Sequence, residues 1–233
     1  MQQMREASTV SSMKTFQYNS TRRQWLSALT LAFAALQLPQ ANAAQEAPDA
    51  FIARITTKTL NTIKADKTLR SGDTARIMQL VDTELMQYVN FRRMTALSVG
   101  PAWRKATDSQ RTQLQEAFKL LLVRTYAGAL SQLGEQTVVV KPIRPGQLDS
   151  NLVVQTEVRG KGDPIQMDYR LEKTTDAASG WLVFDLNVLG VWLVENYRTQ
   201  FSSVINANGI DALIANLNEQ NKRNAGNVST ATK

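Results

Sequence analysis

Hydrophobic positions follow a helical period over residues 47–133, an alternating period over residues 136–189, and a helical period again beyond residue 190. In the first stretch Phe51, Ile52, Ile55, Leu60 and Ile63 form a stripe between Ala47 and about Thr68. Gly72 ends it, and Asp73 is placed to cap a second helix with Ile77, Leu80, Val81, Leu85 and Tyr88 on one face. A short helix over residues 91–99 stops at Gly100-Pro101. Thr107-Asp108-Ser109-Gln110 has the form of a capping box. The long helix it opens runs to about Leu133, with Leu114, Phe118, Leu121, Leu122, Thr125 and Ala129 along one side and Gly134 closing it.

Four strands are predicted over residues 136–143, 152–159, 164–174 and 181–189. Pro145-Gly146, residues 160–163 and residues 176–180 separate them as turns, which predicts an antiparallel meander. In the third strand Ile165, Met167, Tyr169 and Leu171 alternate with Gln166, Asp168, Arg170 and Glu172, so one face of the sheet is expected to be covered and the other wet. Leu193, Tyr197, Phe201, Val204 and Ile205 then return to helical spacing, Asn208-Gly209 breaks it, and Ile210, Leu213, Ile214 and Leu217 form a last stripe. Residues 223–233 are polar and read as a disordered tail. The fold class expected is α+β, a curved four-stranded antiparallel sheet packed on one face by several helices. Such a sheet either closes onto the helices or leaves a cavity between the layers, and periodicity does not distinguish the two.

Ahead of this domain lies a leader. Arg22-Arg23 precede an apolar run over residues 25–38, and Ala41-Asn42-Ala43 supplies the small residues of a cleavage site, so residues 1–43 read as a signal peptide cut after Ala43. The run is short for a membrane span, which needs roughly 20 residues. The paired arginines also resemble a twin-arginine export signal. An ordinary secretory signal or a twin-arginine one delivers to the same compartment of a bacterium, the periplasm. Residues 44–222 are left as one domain, large enough to bury a core.

The leader holds Arg5, Lys14, Arg22 and Arg23 against Glu6, so its removal lowers the net charge from +7 to +4. That mild excess on an exported chain argues against nucleic acid as a partner, and the doublets Arg92-Arg93 and Arg104-Lys105 read as solvated surface. Cysteine and histidine are both absent. Their absence removes a disulfide framework, thiol catalysis, histidine general-base triads and the commonest zinc ligands, and no metal or cofactor is expected. Gly160-Lys161-Gly162 lacks the spacing of a phosphate loop and reads as a hairpin turn. No catalytic residue is assigned. What exceeds ordinary structural need is apolar weight around the last strand, in Trp181-Leu182-Val183-Phe184 and Gly190-Val191-Trp192-Leu193-Val194, and core packing and an apolar ligand wall ask for the same residue types.

Several segments in one order resemble the MlaC family, the periplasmic phospholipid-binding proteins also called toluene-tolerance or Ttg2-type proteins. They are Tyr88-Val89-Asn90-Phe91-Arg92-Arg93-Met94, the stretch from Gly100 to Thr107, the stretch from Leu121 to Leu130, Met167-Asp168-Tyr169-Arg170-Leu171, the stretch from Asn187 to Arg198, and Asn208-Gly209-Ile210-Asp211-Ala212-Leu213-Ile214. The resemblance covers roughly residues 48–221. It implies a carrier moving phospholipid between an outer-membrane lipoprotein-porin complex and an inner-membrane lipid ABC transporter, in the service of outer-membrane asymmetry. The acyl chains would lie in an apolar cavity between sheet and helices, the head group would face solvent, and no covalent chemistry would occur. Trp192 stands where smaller residues such as Ser are expected in relatives. The wall of that cavity is expected to include Leu121, Val139, Val154, Met167, Tyr169, Phe184, Leu186, Val191, Val194, Tyr197 and Phe201. The alternative reading is an exported small-molecule binding module of α+β fold, and an enzyme stands third.

Overall fold

The computed structural model describes residues 46–131, 135–143, 152–160 and 162–230. The leader with its cleavage point, Gly134, the Pro145-Gly146 turn and Lys161 lie outside the described residues.

The first helical stripe is two helices, α1 (Pro48–Ala65) and α2 (Lys67–Arg70). Asp66 between them is extended, and its carboxylate accepts the amides of Thr68 at 2.8 Å and Leu69 at 3.2 Å, so an apolar pattern that runs on without a break conceals a cap. Asp73 caps α3 (Thr74–Leu80) as expected, accepting the Arg76 amide at 2.7 Å. Beyond Leu80 the helix widens into a π turn, Val81–Leu85, and tightens again over Met86–Tyr88. The change of pitch carries Val81, Leu85 and Tyr88 off the fully buried face that Ile77 and Leu80 share. Helix α4 (Phe91–Val99) ends where Gly100 takes φ +72°. Helix α5 (Asp108–Ser131) opens on the predicted capping box, in which Thr107 and Gln110 bond reciprocally at 3.0 and 3.2 Å. Its buried side drifts. Leu114, Phe118 and Leu121 are buried, but farther along Val123 and Ala127 are buried in place of Thr125 and Ala129, which are exposed.

The sheet is an open antiparallel meander of five strands, one more than the sequence predicts: β1 (Thr137–Val140), β2 (Leu152–Arg159), β3 (Ile165–Lys173), β4 (Trp181–Val188) and β5 (Val191–Trp192), neighbours in that order. The fifth exists because Leu189 and Gly190 both take positive φ, +52° and +87°, which folds the chain back in a tight hairpin. Helix α6 (Leu193–Thr230) follows directly, interrupted at Gly209, where φ is +83°. It continues through residues 223–230, where composition predicts a tail without order.

Among the described residues, three apolar clusters divide the interior. Phe51, Ile52 and Ile55 of α1 pack on Leu152, Val154, Tyr169, Leu171, Trp181 and Val183 of the sheet. Helices α4, α5 and α6 enclose the second around Phe118, whose ring lies 4.9 Å from Tyr197 and 5.2 Å from Phe201 in edge-on contacts. The third joins Ile63, Leu69, Ile77, Leu80, Val123 and Ala127. The opposite face of the sheet is not simply wet. Asp168, Asp185 and Asn187 are buried there, and Arg170 pairs with Asp185 at 2.8 Å while lying 3.8 Å over the Trp192 ring. The middle of that face, from Asp168 and Arg170 to Asp185, is thus a sheltered polar cluster capped by an aromatic ring.

Candidate functional site

Strand register brings Val154 opposite Tyr169 and Tyr169 opposite Leu186, so three predicted wall residues share one face. Met167 lies on that face too, and its sulfur accepts the Tyr169 hydroxyl at 3.0 Å. Leu121, Val194, Tyr197 and Phe201 are gathered in the helical cluster across from it. Leu186 and Val89 pack against both clusters, and both are only partly buried. They mark a seam where the helical layer meets the sheet.

Polar atoms along the seam are quenched locally. The Thr156 hydroxyl donates to the Met167 carbonyl at 2.6 Å, and burial pushes the Tyr169 phenol far up and the Tyr197 phenol up, so both stay neutral. Such a surface suits apolar matter. Among the described residues, no three His, Cys, Asp or Glu side chains gather as metal ligands would.

Three predicted residues sit elsewhere. Val139 is paired with Glu157, which puts it on the opposite face of the sheet. Phe184 occupies the position where the register slips between Arg170 and Leu171, and its ring lies 3.8 Å beneath the Arg93 guanidinium. Val191 is 50 % exposed in the β4–β5 hairpin. One extra residue in β4 is enough to invert the face assigned to Phe184 by counting. Arg93, read from sequence as solvated, is accordingly half-buried against Phe184 and paired with Glu172.

A recess of about 400 Å³ opens to solvent beside the seam, between the start of α4, α5 and β4. Met86, Val89, Phe91 and Leu182 supply apolar surface, and Asn90, Arg92, Gln115, Glu116 and Lys119 supply polar groups. Several of these are already engaged. Asn90 caps α4 through the Arg93 amide and bonds Glu172, Gln115 bonds the Arg111 carbonyl, and Lys119 pairs with Asp82 at 2.6 Å. No sequence signal marks the recess, since its lining comes from the Met86–Tyr88 turn, α4, α5 and β4, and Arg92 and Glu116 look like ordinary helix surface. Val89 belongs both to it and to the seam.

Comparison with known proteins places these features in context. Residues 53–219 match the family model described as MlaC protein. Over 201 residues the chain is 22% identical to the intermembrane phospholipid transport system binding protein MlaC of Haemophilus influenzae, across 84% of this chain and 92% of that one. It is 29% identical over 108 residues to the toluene tolerance protein ttg2D of Pseudomonas putida, covering 46% and 49% of the two chains. A solved structure of the phospholipid-binding protein from Ralstonia solanacearum, in complex with a phospholipid, is similar with a TM-score of 0.72 at 40% identity, over 76% of this chain and 98% of that one.

Proposed function

The chain belongs to the MlaC family, and from that premise we propose that it is a periplasmic carrier that holds phospholipid by its acyl chains and passes it between the outer membrane and an inner-membrane ABC transporter. The observation that carries the reading is the 40% identity, over 76% of this chain and 98% of the other, to a protein solved with phospholipid bound. No helix among the described residues is long and apolar enough to cross a membrane.

The physical requirement is strict. Each methylene exposed to water costs about 0.8 kcal/mol, so two acyl chains of ordinary length do not leave a bilayer unaided at a useful rate. A carrier succeeds when its apolar lining replaces the bilayer nearly evenly, methylene for methylene. The seam meets this by exchange of like for like. Val154 is fully buried, while Met167 and Leu186 are only partly so. Chains entering the seam part the sheet from α5 and α6, and contacts between Leu186 and the helical cluster give way to contacts with lipid. Val154, Met167, Tyr169 and Leu186 on the sheet, and Leu121, Val194, Tyr197 and Phe201 on the helices, form the two walls.

The test is to purify the exported protein, extract it with organic solvent and identify what is released by mass spectrometry. Intact phospholipid near one molecule per chain is expected. A water-soluble compound in its place would make the protein a small-molecule binding module, and lysophospholipid or fatty acid accumulating with protein would make it a hydrolase.

A further inference from the structure

Two charges of opposite sign line the recess beside the seam without pairing. Arg92 projects from α4 and Glu116 from α5, both are exposed, and among the described residues neither has an ion-pair partner. The guanidinium of Arg92 lies 6.0 Å over the Trp103 ring, a contact that leaves its N–H groups available. Met86, Val89, Phe91 and Leu182 supply the apolar part of the same recess. Opposite charges that share one small concavity yet do not meet present a cation and an anion to whatever enters.

We propose that this recess seats the head group of a zwitterionic phospholipid, with Arg92 bonding the phosphate and Glu116 the ammonium, while the acyl chains pass Val89 into the seam. The assignment rests on the carrier reading and adds a head-group class to it. A guanidinium is the side chain best matched to phosphate oxygens, and a carboxylate accepts the N–H donors of a primary ammonium. Val89 supplies the continuity, because it lines the recess and packs on both clusters flanking the seam. Lys119 is held by Asp82, so it adds little net charge, and the recess as a whole is nearly neutral. A neutral site with separated charges suits a zwitterion. An anionic glycerol head group would find the same Arg92 but would leave Glu116 facing its phosphate without compensation, a like-charge penalty.

The experiment loads delipidated full-length mature protein from vesicles of equimolar phosphatidylethanolamine and phosphatidylglycerol, then extracts and quantifies both lipids by mass spectrometry. Wild-type protein is expected to take up phosphatidylethanolamine about threefold over phosphatidylglycerol, the scale of one exposed charge interaction. Glu116→Gln is expected to erase the preference and Glu116→Lys to reverse it. Arg92→Gln is expected to weaken loading of both lipids alike, leaving their ratio unchanged. Glu116 is exposed, so both variants at that position should melt as wild type does. Equal uptake of the two lipids by wild-type protein, or a ratio untouched in the Glu116 variants, overturns the head-group assignment and leaves the carrier intact. Uptake of neither lipid overturns the carrier reading, and the assignment with it.

Discussion

The carboxylate of Asp185, in the middle of β4, accepts the backbone N–H of Val194 in the first turn of α6 at 3.0 Å. The residue just before that helix is Trp192, which has no side-chain oxygen to cap it, so the strand supplies the acceptor instead. The same carboxylate accepts the Leu186 amide at 2.8 Å and pairs with Arg170, which also reaches Glu195 at 3.3 Å. One buried acid therefore locks the helix carrying Val194, Tyr197 and Phe201 to the strand carrying Leu186. The two walls of the seam meet at this joint.

Asp185→Ala is expected to lower stability by about 3 kcal/mol, the scale for removing one partner of a buried pair, and Asp185→Asn, which keeps an oxygen for the amides, by less. Urea unfolding followed by circular dichroism measures both. The pH dependence has a definite sign. Burial raises the Asp185 carboxyl above its ordinary 3.8, against the opposing pull of the two amides and Arg170. The folded chain then holds this proton more tightly than the unfolded chain, and the group's contribution falls as pH rises from the unfolded value through the raised one. The advantage of wild type over Asp185→Asn is expected to be greatest at the acid end of that window.

Phe118 is the hub of the helical wall, fully buried and in ring contact with Phe91, Tyr197 and Phe201. Phe118→Ala is expected to cost about 3–5 kcal/mol, since the lost transfer energy is joined by a cavity that the surrounding helices cannot close. A loss under about 1 kcal/mol in chemical denaturation would mean that the wall is loosely packed there.

The elements with strong local signals were legible from sequence: the capping box at Thr107, the short helix ending at Gly100, the meander, and the break at Gly209. Alternation in β3 put Met167, Tyr169 and Leu171 on one face, and the strand register agrees. Three other features were not legible, each for a physical reason. The bulge opposite Arg170 inserts Phe184 without any glycine to announce it, so counting by twos assigns the wrong face. The fifth strand follows a turn with a leucine where Asn would signal one, and a hydrophobic residue there reads as more strand or the start of a helix. The recess was invisible because Arg92, Glu116 and Leu182 are brought together by tertiary packing alone.

That leucine is itself testable. Leu189 has φ +52°, a left-handed conformation in which its Cβ crowds the backbone, and its side chain is 67 % exposed. Leu189→Asn creates the Asn-Gly pair that this hairpin geometry favours and removes apolar surface from water. A gain of about 1 kcal/mol is expected, read as a higher melting temperature. No gain would indicate that the turn relaxes elsewhere.

Glu46 and Arg54 tie the start of the domain together through two bonds of 2.8 and 2.7 Å, and the Glu46 carbonyl accepts the Trp181 indole N–H at 2.7 Å. The Arg54 guanidinium holds the Glu46 carboxyl below its ordinary 4.5, with partial desolvation opposing. A lowered acid contributes stability that is present above its unfolded value and lost as pH falls through its folded one. Both side chains are partly exposed, so Glu46→Gln is expected to cost less than about 1 kcal/mol at neutral pH. The difference from wild type is expected to vanish in acid and to shrink in high salt. A difference that persists in both would assign the effect to packing instead of charge.

The seam is tested most directly at Leu186, which touches both walls, with Val191 as its counterpart. Both residues carry aliphatic side chains near the end of the sheet, but Leu186 packs on the sheet and helical clusters while Val191 is 50 % exposed in the hairpin. Leu186→Trp fills the space that acyl chains would occupy and costs about 1–3 kcal/mol through overpacking, a loss that leaves a domain of this size folded. Its phospholipid content after purification is expected to fall severalfold at unchanged circular dichroism. Val191→Trp adds the same ring to a solvent-facing position and is expected to leave phospholipid content and stability near wild type. Equal loss in both variants would extend the cavity to the β4–β5 hairpin and restore Val191 to its wall. Full retention in Leu186→Trp would place the acyl chains elsewhere in the molecule, since a ring inserted between the two layers cannot share its volume with lipid.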